Sequence, residues 1–245
     1  MRLDRLRRVA WGLSLAYPPA MALSYLNLPF PANFIVGAYS SVIPFIAFYL
    51  LTSYSELRAR DTGLLLATAY ATSYTFEFLG VHYGIPFGKY YYTQSGLGPQ
   101  LLGVPLFIPL LWASLGFYSL CALGSYPLAA LGMVSMDLAF DPMLSGRAHL
   151  WVWQSPGQYY GVPLLNFVGW FIVSITFYYL YVALRGRRPR PSAASTTFYL
   201  SYVAAWAFMD ALAGLAVAGL VGLSAAVALV IIKALLTQRP GAAKG

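Results

Sequence analysis

Four carboxylic acids lie within apolar stretches of this chain: Glu77, Asp137, Asp141 and Asp210. A carboxyl group is costly to bury in such a stretch, so it usually faces a cavity and has a function. Asp137 and Asp141 are four residues apart, which places them on one face of a helix that Pro142 is expected to end. Two neighbouring carboxyl groups in an apolar site do not both ionise easily, and the protonated one can act as a general acid. The catalytic candidates are therefore Glu77, Asp137 and Asp141.

Aromatic side chains are concentrated near these acids. They make up 17% of the chain, with 20 tyrosines, more than an interfacial aromatic belt requires. Aromatic faces stabilise cations, so an acid beside aromatic walls suits carbocation chemistry on an apolar substrate. The candidates for binding such a substrate, together with the nearby polar residues, are Tyr91, Trp151, Trp153, Tyr160, Asn166, His82 and Asp210.

Two other kinds of site are less well supported by the residues. The histidines, His82 and His149, form no H-x-x-x-H pair, and Cys121 is the only cysteine, so we expect no metal site. The Asp137–Asp141 spacing is also found in the N-x-x-x-D-x-x-x-D motif with which membrane prenyltransferases bind Mg²⁺ and a diphosphate. Here Met133 occupies the asparagine position and no second aspartate-rich segment exists, which leaves prenyl transfer as an alternative.

The elements that must position these residues are membrane helices. Of 245 residues, 60% are hydrophobic and 9% are charged, whereas soluble domains are about a quarter charged. This excludes an ordinary soluble domain, a disordered chain and a protein that mainly binds nucleic acid. A spanning helix needs about 20 apolar residues. Suitable stretches lie at 9–26, 34–52, 62–80, 101–122, 125–141, 163–184 and 195–237.

The last stretch is about twice the length of one span, so it should fold back once, at Gly214, Gly219 or Gly222. The sequence therefore predicts an all-α fold, a polytopic transmembrane bundle of about eight helices in a single domain. Its parts would be helices 1–2 in residues 1–60, a catalytic core in 61–185 and a C-terminal helical hairpin in 195–237.

The positive charges predict the orientation. With eight spans the basic groups collect on one side, which is expected to be cytoplasmic. These groups are Arg2, Arg5, Arg7, Arg8, Arg58, Arg60, Arg185, Arg187, Arg188, Arg190, Lys233, Arg239 and Lys244. Only Lys89 and Arg147 fall on the other side, so we expect a multi-pass protein of the cell membrane with both termini inside. The first stretch has no evident small-residue cleavage site, and we expect it to be a helix rather than a signal peptide.

An internal repeat is suggested within the core. Gly103-Val104-Pro105-Leu106 recurs as Gly161-Val162-Pro163-Leu164, and in each copy a tryptophan follows nine residues after the glycine. Helices 3–4 and helices 5–6 would then be two copies of one unit in the same orientation. Such parallel repeats are related by a pseudo-two-fold axis, with a site between the copies.

Two longer patterns resemble the signatures of a known family. The first is Glu77-Phe78-x-Gly80-x-x-x-Gly84-x-Pro86-Phe87-Gly88-x-Tyr90-x-Tyr92. The second joins Asp137-Leu138-x-x-Asp141-Pro142 and Trp151-x-Trp153 to Gly157-x-Tyr159-Tyr160-Gly161-Val162-Pro163-x-x-Asn166-Phe167-x-Gly169-Trp170. Over about residues 60–185 the chain is similar to the carotenoid-biosynthesis membrane proteins that include the carotenoid 1,2-hydratases.

The resemblance implies that water is added across the terminal C1=C2 double bond of an acyclic carotenoid, without a redox cofactor. On physical grounds Asp137 or Glu77 would be the acid and Asp141 its partner. Tyr91, Trp151 and Trp153 would form an aromatic wall, and Asn166 and Tyr160 would orient water. The partners would be the carotenoid, water and the lipid bilayer, and other enzymes of the pathway could dock to the protein. A cyclase acting on the same end group, and a carotenoid-binding or transport protein, remain alternatives.

Overall fold

The predicted all-α bundle is confirmed. A computed structural model describes residues 2–93 and 97–238, with only the backbone of Arg2; Arg239 and Lys244, named above for the orientation, lie outside them. The helices are α1 (Arg2–Ser24), α2 (Ala32–Ser40), α3 (Val42–Tyr83), α4 (Ile108–Leu123), α5 (Tyr126–Gly146), α6 (Leu164–Ala183), α7 (Ala193–Leu212) and α8 (Ala216–Thr237). Short strands are β1 (Tyr90–Tyr92), β2 (Gln100–Leu101), β3 (Val104–Pro105) and β4 (Trp151–Trp153).

Several of these helices suit a membrane. Within the described residues α5, α6 and α8 are each long and apolar enough to cross one, and α2 with α3, bent by 52°, make a fourth candidate if they count as one span. Apolar side chains on the outside of α6 and α8 are exposed, among them Leu164, Val168, Val217 and Leu220. A multi-pass membrane protein accounts for such a surface, because lipid solvates apolar side chains. Eight spans remain a prediction.

The long helix α3 is broken at Arg58, where the backbone angles (φ 72°, ψ 171°) are not helical. The Ser53 hydroxyl donates to Thr62 at 2.9 Å. In a continuous helix nine residues would separate these positions by about 13 Å. The chain therefore turns back at Arg58, so residues 42–57 and 59–83 form the hairpin expected between the predicted helices 2 and 3.

The prediction that Pro142 ends its helix is wrong, because α5 continues through it to Gly146. A proline inside a helix has no N–H to offer to the carbonyl four residues earlier. That carbonyl, on Leu138, instead accepts a hydrogen bond from the Tyr159 hydroxyl at 3.0 Å. The same hydroxyl lies 3.3 Å from the Ala218 carbonyl oxygen of α8, so Tyr159 connects the loop before α6 to two helices.

The loops between the core helices contain the strands. β1 pairs antiparallel with β4, with Tyr90 opposite Trp153 and Tyr92 opposite Trp151. β2 pairs with β3, so the helix predicted over 101–122 begins only at Ile108. Residues 102–103 and 160–161, which precede the two Val-Pro pairs, share positive φ angles. A two-fold repeat predicts such correspondences, and the repeat stays a prediction.

The C-terminal hairpin turns at Gly214, whose φ is 78°. Gly219 and Gly222, the other positions considered, lie within α8. They serve helix packing instead: a Cβ atom on Gly219 would lie 2.6 Å from the Ala207 Cα atom of α7. The absence of a side chain lets α7 and α8 approach closely, as small residues commonly do between membrane helices.

Candidate active site

A cavity of about 270 Å³ lies among the helices beneath the β1–β4 ribbon. Helices α1, α3, α4, α5, α6 and α7 all contribute to its wall, which is mostly apolar and aromatic. Three of the predicted site residues bring acid or amide groups to this wall, namely Glu77, Asp141 and Asn166. An apolar cavity with a few convergent polar groups is the usual form of a small-molecule site.

Glu77 is held by three hydrogen-bond donors. Its Oε2 atom accepts hydrogen bonds from the Tyr90 hydroxyl and, at 2.7 Å, from the Tyr92 hydroxyl. Its Oε1 atom accepts from Trp112 Nε1 at 2.8 Å. Indole N–H groups are donors only, so Oε1 of Glu77 acts as an acceptor toward Trp112.

The two tyrosines that reach Glu77 come from alternate positions of β1, whose side chains point to one face. Burial, and then the neighbouring Glu77 carboxylate, raise the pKa of the Tyr90 and Tyr92 hydroxyls well above the usual value for tyrosine. Both hydroxyls therefore stay protonated around neutral pH and keep donating to Glu77.

The second acidic group is a pair. Asn166, in the first turn of α6, donates from its Nδ2 atom to Asp137 Oδ2 at 2.7 Å and to Asp141 Oδ2 at 2.8 Å. Trp151 Nε1 donates to the other oxygen of Asp141 at 3.0 Å. Asp141 lines the cavity, whereas Asp137 is fully buried behind it. Asp137 Oδ1 has no hydrogen-bond partner among the described residues.

The aromatic wall is built around stacked tryptophans. Trp112 of α4 and Trp170 of α6 stack with their ring centroids 3.9 Å apart. Trp153 packs against Tyr90 at 4.9 Å, and Phe140 meets Trp170 edge-on at 5.4 Å. Trp151 and Trp153, both predicted, line the cavity with these rings. Such faces can stabilise a positive charge held between them.

Four of the predicted substrate-binding residues lie outside the cavity wall. Tyr91 points away from it and is 47% exposed, and Tyr160 is 41% exposed in the turn before α6. His82 is exposed, with its ring stacked on Phe78 at 4.2 Å. Asp210 is fully buried in α7, and neither of its carboxyl oxygens has a partner in the described part of the chain.

Comparison with known proteins decides the family. The family model described as "Carotenoid biosynthesis protein" matches residues 36–232, a range that contains all the acids and tryptophans of the cavity wall.

The chain belongs to the carotenoid biosynthesis protein family.

One curated relative is bisanhydrobacterioruberin hydratase of Haloarcula japonica. It is 34% identical over 126 residues, which cover 46% of this chain and 42% of the relative. The matched region is therefore less than half of that protein's length. No solved structure matches this chain.

Some residues of the wall were not predicted from the sequence. Tyr90 and Tyr92 entered the sequence analysis only through the first family pattern. Trp112 and Trp170 are the tryptophans that follow the repeated glycines, and Trp170 also ends the second pattern. Alternation along a strand places Tyr90 and Tyr92 on one face, but three identical residues do not show which face meets the acids. Tyr202 and Trp206 of α7 also line the cavity, four residues apart on one helix face, and no motif pointed to them.

The described residues contain no group of three or more histidine, cysteine, aspartate or glutamate side chains that could hold a metal ion. His82 Nδ1 lies 3.0 Å from the Phe78 carbonyl oxygen, and His149 Nδ1 lies 3.1 Å from that of Ser145. Each histidine is thus engaged with the backbone of its own helix or of the helix preceding it.

Proposed function

We propose that this protein hydrates the terminal C1=C2 double bond of an acyclic carotenoid and produces a tertiary alcohol. The observation that carries this proposal is the Asp137–Asn166–Asp141 group, whose Asp141 lines the same aromatic cavity as Glu77. Family membership supports a carotenoid as the substrate, and the name of the Haloarcula japonica relative supports hydration.

The first step is protonation of the alkene. The Asp137–Asp141 pair holds a proton, and Asp141 presents it because Asp141 is the member that lines the cavity. The electrons of the C1=C2 π bond form the new C2–H bond, which leaves a tertiary cation at C1. A positioned carboxylic acid is a usual general acid for such a transfer.

The second step is stabilisation of the tertiary cation at C1. The stacked Trp112 and Trp170 rings, with Trp151 and Trp153, place aromatic faces around the cavity. We assign Glu77 a negative charge, since the three hydrogen-bond donors that converge on its oxygens stabilise a carboxylate. Its negative charge stabilises a cation in an apolar cavity, where electrostatic interactions are stronger than in water.

The third step is capture by water. The amide nitrogen of Asn166 is occupied by the two aspartates, so its carbonyl oxygen is the group that accepts a hydrogen bond from the attacking water. The water oxygen forms the C1–O bond, and its proton passes to the Asp137–Asp141 pair, which by then is short of one. The acid pair thereby regains its proton, and in sum one alkene and one water give one tertiary alcohol.

The decisive experiment is expression of the protein in a bacterium that makes an acyclic carotenoid, with pigments analysed by mass spectrometry. Hydration predicts a gain of one water mass for each modified end group. An unchanged mass with a shifted absorption spectrum would mean that an internal double bond quenches the cation, so that the protein is a cyclase. Unaltered pigment from a well-expressed protein offered several acyclic substrates would overturn the enzymatic proposal in favour of binding or transport.

We further propose that the protein lies in the cell membrane with both termini on the cytoplasmic side. The support is the distribution of basic residues: many lie around Arg58 and Arg187 at one end of the bundle, and few lie at the end that holds the active-site cavity. Fusions of alkaline phosphatase, which is active only outside the cytoplasm, test this. Activity of a fusion after residue 238 would contradict the proposal, and activity of a fusion in the loop at Arg147 would support it.

A further inference from the structure

A second cavity, of about 200 Å³, lies at the other end of the bundle from the active site. It is framed by the start of α1, the turn at Arg58 and the segment that follows α6. Arg58 and Glu77 are separated by 19 residues of helix, or about 28 Å. The mechanism proposed above uses nothing in this cavity.

Positive charge dominates the lining. Five arginines contribute to it: Arg7, Arg58, Arg187, Arg188 and Arg190. Only two carboxyl groups, Asp4 and Glu56, line it with them. Glu56 is already engaged, since it accepts hydrogen bonds from Arg7 Nε at 2.5 Å and from Trp11 Nε1 at 2.8 Å.

The remaining arginines are available to a ligand. Arg188 lies over the Tyr126 ring, 4.3 Å from its centroid, which fixes its position and leaves its charge uncompensated. Arg58, Arg187 and Arg190 are exposed, and the ion pairs seen among the described residues involve none of them.

The backbone at Arg58 points to a role for its side chain. Its angles, φ 72° and ψ 171°, fall in a region that glycine adopts almost exclusively. A residue with a side chain is strained there, and such strain is concentrated at functional positions. The turn itself would be made more easily by glycine, so the turn does not explain the presence of arginine.

We propose that this arginine-lined cavity binds a phosphate group, and specifically that of an anionic phospholipid. Guanidinium groups bind phosphate oxygens through paired, charge-assisted hydrogen bonds. The cavity lies where several helices end, and the exposed apolar residues Val182 and Leu184 lie at the end of α6, shortly before the lining residue Arg187 in the chain. A lipid could therefore place its head group in the cavity and its chains along the bundle.

The test compares the purified protein in vesicles of phosphatidylcholine alone and with added phosphatidylglycerol. Lipid retained after extraction is measured by native mass spectrometry, and thermal unfolding is followed in parallel. We expect selective retention of phosphatidylglycerol and a higher unfolding temperature when it is present. Arg58→Gly should reduce retention at least about tenfold, the lower end of what one lost charged hydrogen bond costs.

The choice of Arg58→Gly separates binding from folding. Because glycine fits this backbone conformation, the variant should unfold in phosphatidylcholine at a temperature no lower than that of the unaltered protein. Arg5→Gln is the matched control, since it removes one positive charge from the same end of α1 outside the cavity. The proposed site would be refuted if Arg58→Gly retained as much lipid as the unaltered protein, or if Arg5→Gln lost as much as Arg58→Gly. The arginines would then serve only to set the membrane topology.

A second experiment, with inorganic phosphate added to the protein in neutral detergent, tests whether the ligand is a lipid or free phosphate. If millimolar phosphate raises the unfolding temperature as much as phosphatidylglycerol does, and displaces the retained lipid, the phosphate site stands and its assignment to a lipid is overturned. If only the lipid protects, and Arg58→Gly removes that protection, both parts of the proposal are supported.

Discussion

At the residue scale, Asp141 is the acid that the cavity exposes to a substrate. Asp141→Asn keeps the shape of the side chain but removes the transferable proton. We expect hydration in pigment-producing cells to fall about a hundredfold or more. Asp61→Asn is the control, because Asp61 is a buried carboxyl group paired with Arg60 at the opposite end of the bundle. Equal losses in both variants would show that folding, and not proton transfer, had been affected.

The donors to Glu77 give a second prediction. Tyr90→Phe removes one hydroxyl from the Glu77 carboxylate, and hydrogen bonds to charged groups contribute about 1.5–3 kcal/mol. The hydration rate should fall roughly tenfold or more, while the protein stays folded. Tyr91→Phe, one residue along the same strand, removes an exposed hydroxyl and should leave the rate unchanged. A larger effect at Tyr91 than at Tyr90 would refute the proposed role of Glu77.

The same pair of tyrosines shows what the sequence could predict of the site. Carboxyl groups in apolar helices are rare enough to be noticed, which is why the sequence alone suggests Glu77, Asp137 and Asp141 as catalytic candidates. The face of a three-residue strand was not predictable, because three adjacent tyrosines carry no polar–apolar alternation. The sequence therefore suggested Tyr91 as a wall residue, whereas it is Tyr90 and Tyr92 that line the cavity and donate to Glu77.

At the element scale, α5 depends on a loop residue to continue through Pro142. Tyr159→Phe leaves the Leu138 carbonyl without its donor and should cost about 1 kcal/mol of stability. In a Pro142→Ala background the N–H of residue 142 can bond that carbonyl, so the same substitution should cost less. Thermal unfolding of the unaltered protein, the two single variants and the double variant gives the coupling energy between Tyr159 and Pro142. An identical cost in both backgrounds would mean that the Tyr159 hydroxyl does not replace the missing helical bond.

The contact of α6 with the loop before β1 gives another prediction. A Cβ atom on Gly169 would lie 2.4 Å from Phe87 Cδ1, and Phe87 lines the cavity. Gly169→Ala should therefore displace the Phe87 ring, lower stability by about 1–3 kcal/mol and reduce hydration. Gly63→Ala, on a helix surface with nothing within 4 Å, should be neutral or slightly stabilising. A stable, active Gly169→Ala protein would show that Phe87 can move without consequence.

The sequence predicts that the helices exist more reliably than it predicts where each helix begins and ends. Apolar length located nearly every helix, and 163–184 agrees with α6 to within one residue at each end. The errors arose where local signals are overridden by partners distant in the chain. Pro142 is tolerated because of Tyr159, and 101–107 fold as a hairpin and turn although their composition resembles that of a span.

At the scale of the whole molecule, the cavity is small beside its proposed substrate. Its volume of about 270 Å³ is just below the roughly 300–1,000 Å³ typical of pockets that enclose a ligand. It would hold one end of a carotenoid and leave the rest of the chain in the bilayer. Acyclic carotenoids of different lengths with the same end group should thus react at similar rates, measured in membranes by mass spectrometry. A strong dependence on length would mean that the far end is bound as well.

The placement of the tryptophans makes the protein a reporter of its own occupancy. Five of the six tryptophans line the cavity, so most of the ultraviolet fluorescence of the protein originates there. A polyene end group in van der Waals contact with indoles is an efficient acceptor of their excitation energy. Titration with carotenoid should therefore quench the emission in the unaltered protein and in Asp141→Asn alike. Occupancy of the cavity would then be visible optically, whether or not any product forms.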